Sequence, residues 1–255
     1  MPPRPRVLLF HPLPEDALSK LARRVEIVTV GPSEGAAHSE RRRVLDSVDG
    51  VLCLLVDPLD AAALGAGSHL RVVSSISVGV DHIDLEAATA LGIPVGYTPS
   101  VLAETTADLA FALLLAAARR VAEGDRFVRS GAWSGDPPAV PSEPAGQTAP
   151  WGLDFMLGRD VHGATLGIVG LGEIGRALAR RAQGFGMRVL GWSRTPRTLA
   201  GVEFMALPDL LRAADFVSVH VARAPETEGL LGREALALLQ PHAIIVNTAR
   251  GGIVD

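Results

Sequence analysis

Short apolar segments alternate with helical patterns along most of the chain, and this alternation favours an α/β fold. In the first part, five apolar runs are the predicted strands: Val7–Phe10, Val25–Val30, Val51–Leu55, Val72–Ile76 and Ile93–Val95. Helical patterns lie between them, among them Glu15–Arg23 and Leu85–Leu91. Because strands joined through helices pair in parallel, this order predicts a parallel sheet covered on both faces.

A second alternating unit begins at Thr165. Its predicted strands are Leu166–Val169, Arg188–Trp192, Phe216–Val219 and Ile244–Asn247, and its predicted helices are Ile174–Gln183, Leu207–Ala213 and Glu234–Leu239. The helical run Leu102–Arg120 and the segment Gly135–Pro150 precede it, and the five prolines of that segment predict a poorly ordered surface loop. The pattern therefore predicts two doubly wound α/β domains, residues 1–100 and 101–255.

Composition narrows the range of functions. The formal net charge of −4 provides no basic field, so binding to nucleic-acid phosphates is not expected. The single cysteine, Cys53, excludes an internal disulfide and a Cys-based zinc site and indicates a reducing cytoplasm. The longest apolar stretch, Leu109–Ala118, is too short to span a membrane. The only lysine, Lys20, lies in no Gly-Lys or Tyr-x-x-x-Lys pair, which excludes a P-loop and the short-chain dehydrogenases.

Three glycines predict a dinucleotide site. Gly170, Gly172 and Gly175 form a G-x-G-x-x-G motif that follows a predicted strand and opens a predicted helix. In that context Gly170 allows a tight turn, Gly172 the close approach of a pyrophosphate, and Gly175 the packing of helix on strand. The pyrophosphate is expected to lie on N–H groups at the positive end of the helix. The alternative is a purely structural glycine turn.

The ribose end of the predicted site favours NADP over NAD. A free ribose 2′-hydroxyl usually meets an Asp or Glu about 20 residues after the glycines, where this chain has Trp192-Ser193-Arg194-Thr195-Pro196-Arg197. Arg194, aided by two hydroxyls and by Arg197, can pair with a 2′-phosphate through charge-assisted hydrogen bonds. NADP(H) is therefore the preferred cofactor and NAD(H) the second candidate. The alternative for Arg194 is a solvent-facing arginine without a ligand.

Four motifs, in order along the chain, resemble those of one enzyme family. They are Ser77-Val78-Gly79-Val80-Asp81-His82-Ile83-Asp84 with the following Gly92-Ile93-Pro94-Val95, then Thr105-Thr106-Ala107-Asp108-Leu109-Ala110, then the glycine motif, then Val246-Asn247-Thr248-Ala249-Arg250-Gly251. With this order and spacing the chain resembles the D-isomer-specific 2-hydroxyacid dehydrogenases. Within that family it is most similar to the glyoxylate/hydroxypyruvate reductases.

The resemblance implies a fold and a reaction. The fold is a flavodoxin-like substrate domain followed by a Rossmann NAD(P)-binding domain, with the active site in the cleft between them. The reaction is the NAD(P)H-dependent reduction of small 2-oxoacids, glyoxylate or hydroxypyruvate foremost, to D-2-hydroxyacids. The resemblance also implies a homodimer built through the region after residue 100.

The resemblance assigns roles to individual residues as well. It places the pyrophosphate on Leu171, Gly172, Glu173 and Ile174, the adenosine end on Ser193, Arg194 and Thr195, and the nicotinamide end on Thr248, Ala249 and Arg250. It also implies that Val78 and Gly79 offer backbone N–H groups to the substrate carboxylate.

Arg250 is the predicted catalytic residue. A 2-oxoacid presents a carboxylate beside a carbonyl, and the planar fork of an arginine can reach both. Arg250 follows a predicted strand, at the edge where open α/β sheets bind ligands, and the alternative is a structural salt bridge. His220 also ends a strand but is interpreted as structural. Asp81, His82 and Asp84 are interpreted as a turn and a helix cap, so no metal site is expected.

The chain departs from the family at its end. Family members continue past the Arg250 motif with a glutamate and a histidine that form the acid half of the active site, whereas this sequence stops at Asp255. A C-terminally truncated sequence of an ordinary reductase is the favoured explanation, because a fold that ends inside its own sheet exposes unpaired strand groups. The alternatives are a non-catalytic NADP(H)-binding sensor and a scaffold protein.

Overall fold

The computed structural model describes residues 3–29, 43–134, 155–196 and 198–255. The chain forms two compact units, Met1–Leu102 and Ala103–Asp255. Each unit contains a five-stranded sheet whose strands pair in parallel. The predicted fold class, two doubly wound parallel sheets, is therefore confirmed.

The first unit has a flavodoxin-like sheet. Its elements are β1 (Arg6–Leu9), α1 (Glu15–Ala22), β2 (Glu26–Thr29), β3 (Gly50–Cys53), α2 (Ala61–Ala66), β4 (Val72–Ser75), α3 (Leu85–Ala90) and β5 (Val95–Gly96). The strand order is β2-β1-β3-β4-β5, the doubly wound order in which the winding direction changes between β1 and β3. Leu8, Val51 and Val73 from the three central strands are buried in one apolar cluster. This burial explains why these strands appear in the sequence as short apolar runs.

The second unit has the strand order of a Rossmann sheet. Its elements are α4 (Ala103–Ala118), α5 (Val121–Arg129), β6 (Thr165–Val169), α6 (Glu173–Gly184), β7 (Arg188–Trp192), β8 (Glu203–Phe204), α7 (Leu207–Ala213), β9 (Phe216–Val219), α8 (Arg233–Leu236) and β10 (Ile244–Asn247). The order is β10-β9-β6-β7-β8, so the winding direction changes between β9 and β6. The glycine motif therefore begins where this change occurs.

Strand β6 is buried on both of its faces. Leu166 and Ile168 belong to the apolar cluster that α4 and α6 complete. On the other face, a Cβ on Gly167 would lie 2.4 Å from Leu210 Cδ2 of α7. Gly167 thus allows α7 to pack closely on the strand, and the glycine loop that follows β6 starts from a rigid support.

Ion pairs also connect helix α6 to helix α4. Arg181 donates from Nε to Asp108 Oδ1 (2.7 Å) and from Nη1 to Glu104 Oε2 (2.9 Å). Both acceptors lie on α4, and the Arg181 side chain is only 22% exposed. These pairs give Asp108 of the Thr105–Ala110 motif a structural role, because they orient the helix that follows the glycine loop.

Several details differ from the sequence-based expectation. The predicted run Leu102–Arg120 forms one helix, α4, which ends at Ala118. Arg120 adopts a left-handed conformation (φ 53°) and separates it from α5, which was not predicted. The helix expected over Glu234–Leu239 is the shorter α8. Strand β8 and helix α2 are too short to produce a periodic pattern and were not predicted. Arg197 and the segment Gly135–Pro150 lie outside the described residues, so their expected roles stay predictions.

The described part of the chain contains no helix that is both long and apolar enough to cross a membrane. Its longest helix, α4, has 16 residues, whereas a span needs about 20. Nor do these residues bring together three His, Cys, Asp or Glu side chains in a group that could hold a metal ion.

Candidate functional site

The glycine loop joins β6 to α6. Gly170 has a φ of +110°, a conformation that residues with a side chain rarely adopt. Its N–H donates to the Trp192 carbonyl oxygen (2.8 Å), and a Cβ at this position would lie 2.6 Å from the carbonyl carbon of His220. Glycine is therefore required for the chain to turn this tightly beside the end of β9.

The other two glycines of the motif face different surroundings. A Cβ on Gly175 would lie 2.0 Å from the Gly170 carbonyl oxygen and 3.2 Å from Ile168 Cγ2, so Gly175 allows α6 to pack against the turn. A Cβ on Gly172 would meet no protein atom within 4 Å. It would project instead into open space at the start of α6, where a ligand can approach the backbone closely.

The N-terminus of α6 suits an anion. The helix has 12 residues, and its N-cap residue is Gly172, which has no side chain to bind the N–H groups of the first turn. The first N–H groups of a helix have no partner within the helix, and the helix dipole makes this end positive. Leu171 is buried, and its side chain packs near Gly191. The residues at this loop therefore fit the pyrophosphate of a dinucleotide.

The loop after β7 carries the predicted ribose contacts. Ser193 Oγ donates to the Thr195 carbonyl oxygen (2.6 Å), which closes a short turn. Arg194 extends from this turn, and its Nη1 lies 3.3 Å from Oε2 of Glu226. Both side chains are more than half exposed, so water screens the pair and the guanidinium is held only weakly. Glu226 lies in the short 3-10 helix Pro225–Thr227 after β9. It was not predicted, because the expected position for a carboxylate was the end of β7.

The loop after β10 carries Thr248, Ala249 and Arg250. Asn247 bridges this loop, because its Nδ2 donates to the Arg250 carbonyl oxygen (2.8 Å) and its Oδ1 accepts from the Ala249 N–H (2.9 Å). Arg250 is partly buried, and its Nη1 donates to the Ala249 carbonyl oxygen (3.0 Å). Asn247 therefore fixes the backbone from which the Arg250 side chain extends. Asn247 belongs to the Val246–Gly251 motif, but this bridging role was not predicted from the sequence.

His220 is a partly buried histidine after β9. Its Nε2 lies 2.8 Å from Ser218 Oγ, and its Nδ1 lies 3.4 Å from Thr248 Oγ1. Burial lowers the pKa of His220 to about 4, so the ring is uncharged at neutral pH. The His220 backbone lies directly beside Gly170, and the His220 ring contacts the loop that carries Thr248. These contacts are those of a structural histidine that supports both loops.

In the first unit, the loop after β4 carries Val78 and Gly79. Hydrogen bonds brace it from within, because Ser77 Oγ donates to the Gly79 carbonyl oxygen (2.6 Å) and lies 2.6 Å from Ser75 Oγ. The Ser77 carbonyl oxygen accepts from both the N–H (2.9 Å) and the Oγ1 (3.1 Å) of Thr98. The loop itself was predicted as a site, whereas the contributions of Ser75, Ser77 and Thr98 were not.

His82 belongs to the same polar cluster. Its Nε2 lies 3.0 Å from Ser75 Oγ and 3.7 Å from Cys53 Sγ. Burial raises the pKa of the Cys53 thiol to about 11, so the sulfur carries no charge at neutral pH. Asp84 caps α3 by accepting from the Ala87 N–H (2.9 Å), as the sequence pattern indicates. His82 lies in the predicted turn, where the Ile83 N–H donates to the Val80 carbonyl oxygen (3.0 Å), and its ring also contacts the buried hydroxyl of Ser75.

The predicted residues fall into two groups, one in each unit. In the second unit, the glycine loop, Ser193–Thr195 and Thr248–Arg250 follow β6, β7 and β10, so they share the carboxyl edge of one sheet. Strands β7 and β10 lie on opposite sides of β6. Such an edge can hold a dinucleotide across the point where the winding changes, with Arg194 toward one end and Arg250 toward the other. In the first unit, Val78 and Gly79 follow β4.

Residues 111–255 match the family model for the NAD-binding domain of D-isomer specific 2-hydroxyacid dehydrogenases. The whole chain is 44% identical to the glyoxylate reductase of Korarchaeum cryptofilum, over 99% of this chain and 73% of that protein. The chain belongs to the D-isomer-specific 2-hydroxyacid dehydrogenases. The resemblance drawn from the four motifs is thereby confirmed.

Two further relatives support the same family. The glyoxylate reductase of Thermococcus kodakarensis is 43% identical over 99% of this chain and 74% of its own length. The crystal structure of the TT0316 protein from Thermus thermophilus is 42% identical and superposes with a TM-score of 0.82, covering 98% of this chain and 75% of that one. The chain thus spans about three quarters of the length of these relatives. Membership makes it an oxidoreductase of 2-oxoacids that uses a nicotinamide cofactor.

Proposed function

We propose that the protein reduces glyoxylate, and hydroxypyruvate as a second substrate, to the corresponding 2-hydroxyacid, of D configuration where the product is chiral. The observation that carries this proposal is the position of Arg250, which follows β10 at the sheet edge that also holds the glycine loop. The relatives named glyoxylate reductase, at 43 to 44% identity over 99% of the chain, support the choice of glyoxylate.

The first unit binds the substrate carboxylate in this proposal. Val78 and Gly79 supply two successive backbone N–H groups, and such donors bind an anion without placing a second charge beside it. Gly79 has no side chain, so a carboxylate can approach its N–H closely. The first unit therefore contributes selection for 2-oxoacids as a class, whatever the substituent on the third carbon.

The second unit activates the carbonyl in this proposal. Arg250 donates to the 2-oxo oxygen and stabilises the negative charge that grows there in the transition state. When bound, the nicotinamide would supply a hydride to the carbonyl carbon. The resulting alkoxide would take its proton from the histidine that family members carry after the Arg250 motif, past Asp255. The Asn247 bridge keeps the Arg250 loop in place, so little reorganisation accompanies the reaction. Leu171 to Ile174 bind the pyrophosphate, and Thr248 and Ala249 line the nicotinamide end.

NADPH is the preferred cofactor in this proposal. Arg194 is exposed and paired only weakly with Glu226, so a ribose 2′-phosphate can replace the carboxylate as its partner. Ser193 closes the turn that presents Arg194. An unpaired Glu226 close to a phosphate would weaken NADPH binding by repulsion. Arg194 therefore raises the affinity for NADPH in this proposal, and Glu226 lowers it.

A homodimer in the cytoplasm completes the proposal. Leu109 and Leu113 of α4 are 54% and 43% exposed, and a second copy of the chain would cover such side chains. The reduced thiol Cys53 suits the reducing cytoplasm. Light scattering after size exclusion should give twice the monomer mass, and Leu109→Glu should shift the protein toward the monomer.

Arg250→Ala tests the reaction. We expect kcat/KM for glyoxylate to fall by about 10²- to 10³-fold, because the growing oxyanion loses its donor, while NADPH affinity measured by fluorescence titration stays within about twofold. Arg212→Ala is the matched control, since Arg212 is an exposed arginine of the same unit that pairs with Asp209. Unchanged turnover by Arg250→Ala, or equal losses in both variants, would refute the role of Arg250.

Arg194→Ala tests the cofactor preference. The variant should bind NADPH about ten- to a hundredfold more weakly and NADH almost unchanged, because only the phosphate pair is lost. Glu226→Gln should bind NADPH severalfold more tightly, because Arg194 loses its competing partner. If the unmodified protein binds NADH more tightly than NADPH, the proposed preference is wrong.

A further inference from the structure

Two buried serines and a partly buried histidine form a line of polar side chains beneath the loop that carries Val78 and Gly79. It runs from His82 Nε2 to Ser75 Oγ (3.0 Å), from there to Ser77 Oγ (2.6 Å), and ends on the Gly79 carbonyl oxygen (2.6 Å). The two serines are 1% and 4% exposed. Burial of hydroxyl groups is costly unless each forms hydrogen bonds, and here the hydrogen bonds form a continuous chain.

The chemistry of the end group sets the direction of this chain. The Gly79 carbonyl can only accept, so the Ser77 hydroxyl donates its one proton there. Ser77 Oγ must then accept from Ser75, whose single proton is used in turn. Ser75 Oγ is therefore left to accept from His82, which requires a proton on Nε2 of the imidazole. Every donor in the line points toward Gly79.

The chain and Thr98 together orient the peptide groups of the loop. In a trans peptide the C=O of one residue and the N–H of the next lie in one plane and point in opposite directions. Thr98 binds the Ser77 carbonyl oxygen with two donors, which sets the direction of the Val78 N–H. Ser77 Oγ binds the Gly79 carbonyl oxygen and so anchors the plane that follows Gly79. The peptide plane that carries the Gly79 N–H is thus held from both sides.

We propose that Ser75, Ser77 and Thr98, with His82 as the terminal donor, are positioning residues that hold the Val78 and Gly79 N–H groups in the orientation that binds a carboxylate. The identity of that ligand, a 2-oxoacid, rests on the proposed function. The rigidity of the loop does not rest on it, because it follows from the hydrogen bonds alone.

The three hydroxyls should differ in importance. Ser77 connects directly to Gly79, so Ser77→Ala removes the anchor itself. Ser75→Ala leaves the Ser77 hydroxyl in place and removes only the Ser75 hydroxyl that orients it. Thr98→Val keeps the backbone N–H that binds the Ser77 carbonyl oxygen. The expected order of effect is therefore Ser77, then Ser75, then Thr98.

Loop order without substrate is the first measurement. With ¹⁵N-labelled valine and glycine, the amide order parameters of Val78 and Gly79 should be near 0.85 in the unmodified protein, the value of a rigid backbone, and fall below about 0.6 in Ser77→Ala. Ser77→Thr keeps a hydroxyl and should restore the order. Ser74→Ala is the matched control, because Ser74 is the neighbouring serine of β4 on its exposed face. Unchanged order in a folded Ser77→Ala would overturn the proposal.

Carboxylate binding is the second measurement. Oxamate, a 2-oxoacid analogue that is not reduced, should shift the Val78 and Gly79 amide signals of the unmodified protein. In Ser77→Ala its Kd and the KM for glyoxylate should rise by about ten- to a hundredfold, while the Kd for NADPH stays the same. A structural role alone would lower the folded fraction and kcat without this change in KM, and that result would overturn the proposal.

The direction of the chain is tested by the tautomer of His82. Selective ¹⁵N labelling of histidine should show Nε2 carrying the proton at pH 8, and a proton-free Nε2 would overturn the assigned direction. The two levels of inference can fail separately. If Ser77→Ala loosens the loop but the unmodified protein neither binds oxamate nor reduces glyoxylate, the proposed function is wrong and the positioning role stands.

Discussion

The loops after β4 and β6 both follow the carboxyl end of a parallel strand, but different residues shape them. The β6 loop is shaped by glycines, because Cβ atoms at Gly170 and Gly175 would collide with backbone atoms 2.0 to 2.6 Å away. The β4 loop is shaped by hydroxyls, because Ser77 and Thr98 bind its carbonyl oxygens. One loop is thus determined by exclusion of side chains and the other by their hydrogen bonds.

This difference has consequences for how each loop fails. A steric loop tolerates almost no added volume, so a single methyl group should disturb the fold of its unit. A hydrogen-bonded loop can lose one donor and keep its fold, so the expected damage is a loss of order and of ligand affinity. The β6 loop should therefore show large effects on stability, and the β4 loop should show smaller, local ones.

Gly175→Ala should give the largest effect. Its Cβ would lie 2.0 Å from the Gly170 carbonyl oxygen, so the backbone must shift, and we expect the free energy of unfolding to fall by about 3 kcal/mol or more. Denaturant unfolding measures this change. Gly184→Ala is the control at the other end of α6, where a Cβ meets nothing within 4 Å, and it should be neutral or slightly stabilising. Equal stability of the two variants would contradict the conclusion that the β6 loop is determined by exclusion of side chains.

The second largest expected effect is that acid lowers the free energy of unfolding of the second unit. Burial lowers the pKa of His220 to about 4 from its ordinary value of 6.5, so between these pH values the unfolded chain binds a proton that the folded chain does not. Stability is therefore lost as the pH falls from 6.5 to 4, by about 3 kcal/mol, and this contribution changes no further below pH 4. The serine and threonine hydroxyls that brace the β4 loop do not titrate in this range.

His220→Gln isolates that contribution. The variant has no proton to gain at this position, so its unfolding free energy should depend less on pH between 6.5 and 4 than that of the unmodified protein. Denaturant unfolding at several pH values provides the comparison. Parallel pH profiles for the two proteins would show that the His220 ring is not the source of the acid sensitivity.

Gly172→Ala should give the smallest of the three effects, and it separates binding from folding. A Cβ at this position meets only open space, so stability should change by less than about 1 kcal/mol. The added methyl group would occupy the space through which a pyrophosphate reaches the helix N-terminus, so NADPH affinity should fall by about ten- to a hundredfold. An unchanged Kd for NADPH would show that the open space at Gly172 is not the pyrophosphate site.

The parts of the site that could be predicted depend on neighbours along the chain. The G-x-G-x-x-G motif, the strand before it and the helix after it are adjacent in sequence, and the place of Arg250 after β10 follows from one apolar run. Glu226 escaped prediction because it meets Arg194 from 32 residues away. Asn247 was quoted within a motif, but its two hydrogen bonds depend on the conformation of the loop after β10.

The sequence by itself determined the alternation of strands and helices, the glycine turn and the arginine that follows β10, because steric and conformational preferences act over a few residues. Only the tertiary structure decided that β9 lies beside β6, which puts His220 against Gly170 and partly buries its ring. It also decided that Thr98, 21 residues from Ser77, and His82 join the serines beneath the β4 loop. Desolvation and hydrogen bonding depend on distance in space, and no local pattern in the chain encodes that distance.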